Sequence, residues 1–231
     1  MSVSTYAKIA QQAYRNPPAL EIGDYHLLPY RSNNRVKVYT NGLRGELVFS
    51  IRGTQITDVN DFTANLHIFN NTLALSQMFT EVKYMLDHFL SEKIIRDIII
   101  VGHSLGGSLA IELLKAYPDR ITGVYAFNPG YGYKQFIDDA GKRLKCLVNS
   151  SKECMELKLV QKKLHVYITG WDPISTLARV NQNTYNIKPT EDNVHTIRNF
   201  LDPAVVGSGS EYQQLTLVPS TRLVADIRAA A

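Results

Sequence analysis

Residues Ile98 to Gly107 read IIIVGHSLGG: a run of β-branched side chains ends on a Gly-x-Ser-x-Gly turn, and the turn opens into a helical stretch from Leu105 to Tyr117. Strand, sharp turn and helix in that order form a nucleophile elbow. The turn is so tight that its serine must adopt strained backbone angles. Gly102 and Gly106 flank it because a Cβ at either place would collide with neighbouring backbone. Ser104 is thereby presented at the sheet edge, beside a helix N-terminus whose free N–H groups favour developing negative charge. The plainer alternative is an ordinary serine in a glycine-rich turn. The context argues against it, because Leu109, Ala110, Leu113, Leu114 and Tyr117 follow on a helical period directly after four β-formers.

A chain of 231 residues is long enough for one domain around a single core. With 45% hydrophobic and 20% charged residues it is not a disordered polymer. No apolar run approaches the roughly 18 residues of a membrane span, and MSVSTYAKIAQQAYR lacks the apolar centre of a signal peptide, so an intracellular or non-classically exported protein is expected. Cys146 and Cys154 are the only cysteines. They exclude a disulfide framework and permit one local bridge, but without a secretory signal reduced thiols are expected. The net charge of +4 is unevenly placed: residues 142–163 carry seven Lys/Arg against two Glu, which leaves the rest of the chain near neutral. No nucleic-acid-binding motif accompanies this basic stretch, so nucleic acid is not an expected partner. Contact with an anionic membrane surface is, beside the plain reading of a solvated insertion.

Along the chain, residues 4–14 read as an amphipathic helix stopped by Pro17 and Pro18. RVKVYT and ELVFSIRG around NGLRG read as a hairpin, hence an antiparallel start. Residues 54–76 are polar and irregular, and Phe79, Val82, Leu86 and Phe89 then mark the buried face of a long helix. Strands are expected at 98–101, 121–126 and 164–170, with a weaker one at 184–188 and a short helical stretch at 194–201. Alternation of strand and helix predicts an α/β fold with a mostly parallel sheet. Residues 131–163 read as a polar excursion or cap-like insertion within a single domain, 1–206, followed by a tail, 207–231.

A serine hydroxyl is a poor nucleophile unless a base takes its proton, and the base needs an orienting carboxylate. In elbow-bearing hydrolases the order is serine, acid, histidine, with the acid just past a later strand. Asp172 stands two residues beyond LHVYITG, and His195 is the only histidine after it. His165 precedes that acid, His103 lies inside the elbow, and His26, His67 and His88 come before the serine. The bland readings are a loop-capping aspartate and a solvated surface histidine. No HExxH motif or Cys/His cluster with ligand spacing occurs, so neither a metal nor another cofactor is expected.

Five blocks together resemble the class 3 lipases, the α/β-hydrolases that include fungal triacylglycerol lipases. They are LVFSIRGT (47–54), IVGHSLGG (100–107), FNPG (127–130), GWDPIS (170–175) and VHTIRNFL (194–201), in family order. The resemblance implies a central, mostly parallel sheet with helices on both faces. It also implies an oxyanion hole in which the Thr54 N–H, with its hydroxyl in reach, is joined by the N–H of Leu105. The family carries a helical lid between the Arg-Gly-Thr turn and the long helix, often with a Gly-Phe pair near its end; here LALSQMF stands in place of that Gly-Phe block, so the lid is reduced or differently built, or residues 131–163 cover the site instead. The expected activity is hydrolysis of carboxylic esters, with a glycerolipid as substrate. The alternatives are an esterase or thioesterase acting on soluble acyl compounds, and a catalytically silent binding module of the same fold.

Overall fold

The structure, a computed structural model, describes residues 2–54, 72–92, 97–148, 150–170, 172–175, 177–178 and 183–207. Most of the irregular stretch before the long helix, Trp171, and the tail beyond Gly207 lie outside these residues. Eight strands form one sheet in the order β1 to β8. They are β1 (Glu21–Ile22), β2 (Tyr25–Leu27), β3 (Val36–Asn41), β4 (Glu46–Ile51), β5 (Asp97–His103), β6 (Gly123–Phe127), β7 (Leu164–Thr169) and β8 (Thr184–Ile187). β1 to β4 pair antiparallel, and β4 to β8 pair parallel. The hairpin read from the sequence is β3–β4, and the antiparallel start extends two short strands further back than the alternation revealed.

Two cores follow from the pleat, because alternate strand residues face opposite sides. Phe49, Ile98, Ile100, Val124 and Val166 face α2 (Gln77–Ser91) and α3 (Leu105–Ala116). Val48, Ile99, Val101, Phe127 and Tyr167 face α1 (Val3–Gln12), a 3₁₀ turn at Ile197–Phe200 and α6 (Pro203–Gly207). The Ser2 hydroxyl caps α1, and Ser76 caps α2 by accepting from the Phe79 N–H at 3.1 Å. A 15-residue helix such as α2 is marginal in isolation. Phe79, Val82, Leu86 and Phe89 are buried as the periodicity predicts, and at about 1.5–3 kcal/mol per buried side chain they hold the helix to the sheet.

Residues 131–163 depart from expectation. They form two helices, α4 (Tyr133–Val148) and α5 (Lys152–Lys163), joined by a disulfide between Cys146 and Cys154 rather than carrying reduced thiols. This is the local bridge that the sequence permits: a short connection folds the two helices back on each other and brings the Cα atoms to 5.3 Å, within bridging distance. The helices went unread because the buried residues of α4, Gln135 and Asp139, are polar, and of its large apolar side chains Phe136 packs half-buried against the core while the others are exposed. Tyr131 donates to Asp139, and Lys115 and Glu112 of α3 meet this face. Among the described residues no helix is long and apolar enough to cross a membrane.

Candidate active site

The ends of three parallel strands converge on one point. β5 runs into Ser104, whose φ of 56° and ψ of −130° confirm the strained turn. The turn is pinned by a Ser104 N–H bond to the Phe127 carbonyl at 3.0 Å. Glycine is required on both sides: a Cβ on Gly102 would strike the backbone of Gly106, and one on Gly106 would strike the carbonyl of Ile51. The second contact also shows that the chain leaving β4 lies directly against the start of α3.

Asp172 follows β7, fully buried, with its N–H bonded to the Thr169 carbonyl at 3.2 Å. Its Oδ1 accepts from the Ile174 N–H at 3.1 Å, and its Oδ2 accepts from the Ser175 hydroxyl at 2.6 Å. Burial alone would raise this carboxyl. The hydrogen bonds from His195, Ser175 and Ile174 outweigh it and hold the group below the usual carboxylate range. His195 comes from the loop ahead of the 3₁₀ turn. Its Nδ1 lies 2.6 Å from Asp172 Oδ2 and its Nε2 lies 2.9 Å from Ser104 Oγ. An ionised carboxylate only accepts, so the proton sits on Nδ1 and Nε2 is left to accept from the serine. Ser104, Asp172 and His195, 91 residues apart from first to last, are thus in a single hydrogen-bonded line.

Thr54 is half-buried in the turn after β4, and a Cβ on its neighbour Gly53 would come within 3.2 Å of the Ser104 Cβ, so this turn borders Ser104. Leu105 opens α3, and a first helical residue has no intrahelical partner for its N–H. Both backbone donors therefore lie on segments adjoining Ser104.

Sequence reasoning missed four supporting side chains. Ser175 orients Asp172. Asn128 has a positive φ of 41° and ties the ends of β6 and β7 to the histidine loop, donating to Thr169 Oγ1 and to the Val194 carbonyl, each at 2.9 Å. Asn128 falls in the FNPG block and Ser175 in GWDPIS, so their place was flagged although their roles were not. Tyr14 and His103 are the other two. The Tyr14 hydroxyl accepts from the Gly53 N–H at 3.0 Å and lies 3.1 Å from His103 Nδ1, while His103 Nε2 lies 2.5 Å from the carbonyl of His195. His103 is therefore excluded as the base by position and by its own bonds.

A parallel sheet extended by an antiparallel hairpin, with an elbow serine at the end of its central strand, defines an α/β-hydrolase, the fold that the resemblance implied. The family described as serine aminopeptidase, S33, matches residues 71–198, more than half of the sequence and a span that includes Ser104, Asp172 and His195; the chain belongs to this family of hydrolases. No curated protein matches. Among solved structures, the chain is similar to the Lip2 lipase of Yarrowia lipolytica, at 16% identity and a TM-score of 0.49 over 80% of this chain and 78% of that one. It is similar to the Rhizomucor miehei lipase in its propeptide complex, at 14% and 0.47 over 88% and 77%. A triacylglycerol lipase of Penicillium expansum is similar at 13% and 0.43 over 90% and 88%.

Proposed function

We propose that the protein is a serine hydrolase that cleaves carboxylic esters of lipids through an acyl-enzyme. The observation that carries this reading is His195, which bridges Ser104 and Asp172 at 2.9 and 2.6 Å. In this mechanism Ser104 Oγ attacks the ester carbonyl while His195 Nε2 takes its proton. Asp172 keeps the imidazole in the correct tautomer and stabilises the imidazolium. The backbone N–H groups of Thr54 and Leu105 receive the oxyanion, the alcohol leaves with the proton from His195, and water repeats the sequence to release the acid.

The outward face of α4 favours a lipid over a soluble ester. Tyr133, Ile137, Leu144, Leu147 and Val148 are 46% to 84% exposed. At 100° per residue, Tyr133, Ile137, Leu144 and Val148 fall within about 60° of one another, so they form one apolar stripe. Lys134 and Lys145 border it with Asp138, and the basic residues of α5 continue from there. An apolar stripe edged by lysines suits the surface of an anionic membrane. The stripe starts three residues after Gly130, whose N–H lies 3.4 Å from the Ser104 carbonyl oxygen, so docking there would bring lipid to the elbow.

The test is a panel of triacylglycerols, phospholipids, soluble nitrophenyl esters, acyl thioesters and aminoacyl anilides, run with the parent protein and with Ser104→Ala. Hydrolysis of the lipid esters by the parent, with kcat falling by about six orders of magnitude in Ser104→Ala, is expected. Turnover confined to soluble esters, thioesters or anilides would sink the lipid assignment. Unchanged ester turnover in the variant would sink the serine mechanism, and a parent that acts on nothing and fails to react with a fluorophosphonate would mark a silent binding module.

A further inference from the structure

The residue before Ser104 is a buried histidine, His103, and a tyrosine from the N-terminal segment, Tyr14, reaches it. Tyr14 lies just past the end of α1, on the side of the sheet away from α2 and α3, and its ring packs edge-on to His103 with centroids 5.9 Å apart. Its oxygen meets the Gly53 N–H at 3.0 Å, His103 Nδ1 at 3.1 Å and the His103 carbonyl at 3.1 Å. On the opposite edge of the imidazole, Nε2 lies 2.5 Å from the His195 carbonyl. A carbonyl only accepts, so Nε2 carries the proton. A neutral ring then leaves Nδ1 an acceptor, and it shares the single proton of the tyrosine hydroxyl with the His103 carbonyl.

We infer that Tyr14 and His103 form one positioning relay, in which the hydroxyl latches the oxyanion turn to the elbow and the imidazole latches the elbow to the loop that carries His195. The inference rests on the serine-hydrolase reading and deepens it. Gly53 stands between the two halves. A Cβ there would strike the Tyr14 hydroxyl and approach the His103 carbonyl and the Ser104 Cβ, so glycine is what lets the hydroxyl reach the backbone next to Thr54. Electrostatics agree with the geometry. Burial, with the neighbouring His195 second, holds His103 down to about 3, so a neutral ring sits 5.0 Å from His195 when that imidazole takes up the serine proton. Each latch spans elements remote in sequence: Tyr14 to Gly53 and His103, and His103 to His195. Displacing a catalytic group by about 1 Å costs roughly 10²-fold in rate, which sets the scale of what the relay protects.

The test uses the full chain with Tyr14→Phe, His103→Leu and His103→Gln, reading kcat and KM on a soluble nitrophenyl ester together with amide hydrogen exchange at Gly53. Tyr14→Phe keeps the ring and removes only the hydroxyl. Its expected result is a kcat lowered about 30-fold with KM within about twofold, and a Gly53 amide that exchanges at least about tenfold faster. His103→Gln retains an N–H able to reach the His195 carbonyl, so it is expected to hold about tenfold more activity than His103→Leu. A kcat within about twofold of the parent in folded Tyr14→Phe, a loss confined to KM, or unchanged Gly53 exchange would overturn the relay. A parent without ester turnover would instead overturn the hydrolase reading, and Gly53 exchange would still decide whether the latch exists.

Discussion

Replacing Asp172 by asparagine tests the site at its most determinate point, because the surrounding donors dictate how the amide must sit. Oδ1 receives the Ile174 N–H, so an NH₂ group placed there would set donor against donor. The amide nitrogen is therefore driven to the Oδ2 position, beside the Ser175 hydroxyl and His195 Nδ1. Ser175 adapts by turning its lone pair toward the amide. His195 adapts only by moving its proton from Nδ1 to Nε2, which then points a donor at Ser104 Oγ where an acceptor is required. The expected loss is about 10⁴-fold in kcat, the size seen when an elbow-independent triad is trapped in the wrong tautomer, or about 5.4 kcal/mol of transition-state stabilisation. Nitrophenyl ester kinetics on protein of verified fold measure it, with fluorophosphonate labelling of Ser104 slowed in parallel. A fall smaller than about tenfold would refute the reasoning, because it would mean that the tautomer of His195 is not set by Asp172.

Three further outcomes are expected. Gly106→Ala would drive a methyl into the Ile51 carbonyl, and a loss of about 3 kcal/mol or outright misfolding should appear in urea unfolding. Because the folded Asp172 carboxyl lies below its unfolded value near 3.9, its contribution to stability is present above about pH 3.9 and is lost as pH falls through the lower folded value. Ser175→Ala removes one of the bonds that lower it, so the stability difference between parent and variant, measured by urea titration, should shrink as pH drops through that window. Serines at both Ile137 and Leu144, which are exposed and outside the core, should weaken sedimentation with anionic phospholipid vesicles about tenfold while leaving soluble-ester kinetics intact; equal vesicle binding would remove α4 from the docking surface.

How much of the site could be read from the chain depended on whether the chemistry was local. The elbow is local: four β-branched residues, two obligatory glycines and a helical repeat lie within twenty positions, and each fails if moved by one. Asp172 and His195 could be put forward because chain order and the strand before the acid narrow the choice, although no local pattern marks either residue, and the fold brings both to Ser104. Tyr14 was not legible at all. It follows an amphipathic helix whose apolar positions explain themselves by burial, and nothing in STYAKIAQQAY announces a contact 89 residues away. Helix α4 was obscured for a different reason: its inward face pairs Asp139 with Tyr131 and Lys115 beside a half-buried Phe136, so most of the apolar residues that normally betray a buried face are left outside.

The sequence by itself determined the alternation of strand and helix, the position of the elbow serine and the need for glycine around it, because backbone sterics and side-chain periodicity act between near neighbours. Only the tertiary structure decided which polar groups share a proton, how Asn128 and Ser175 support the acid and the histidine loop, and that Cys146 meets Cys154. Hydrogen bonds act over about 3 Å in space and are indifferent to distance along the chain, so those of the site form only when the sheet brings its strand ends together, and the disulfide forms only when the two helices that carry its cysteines fold back on each other.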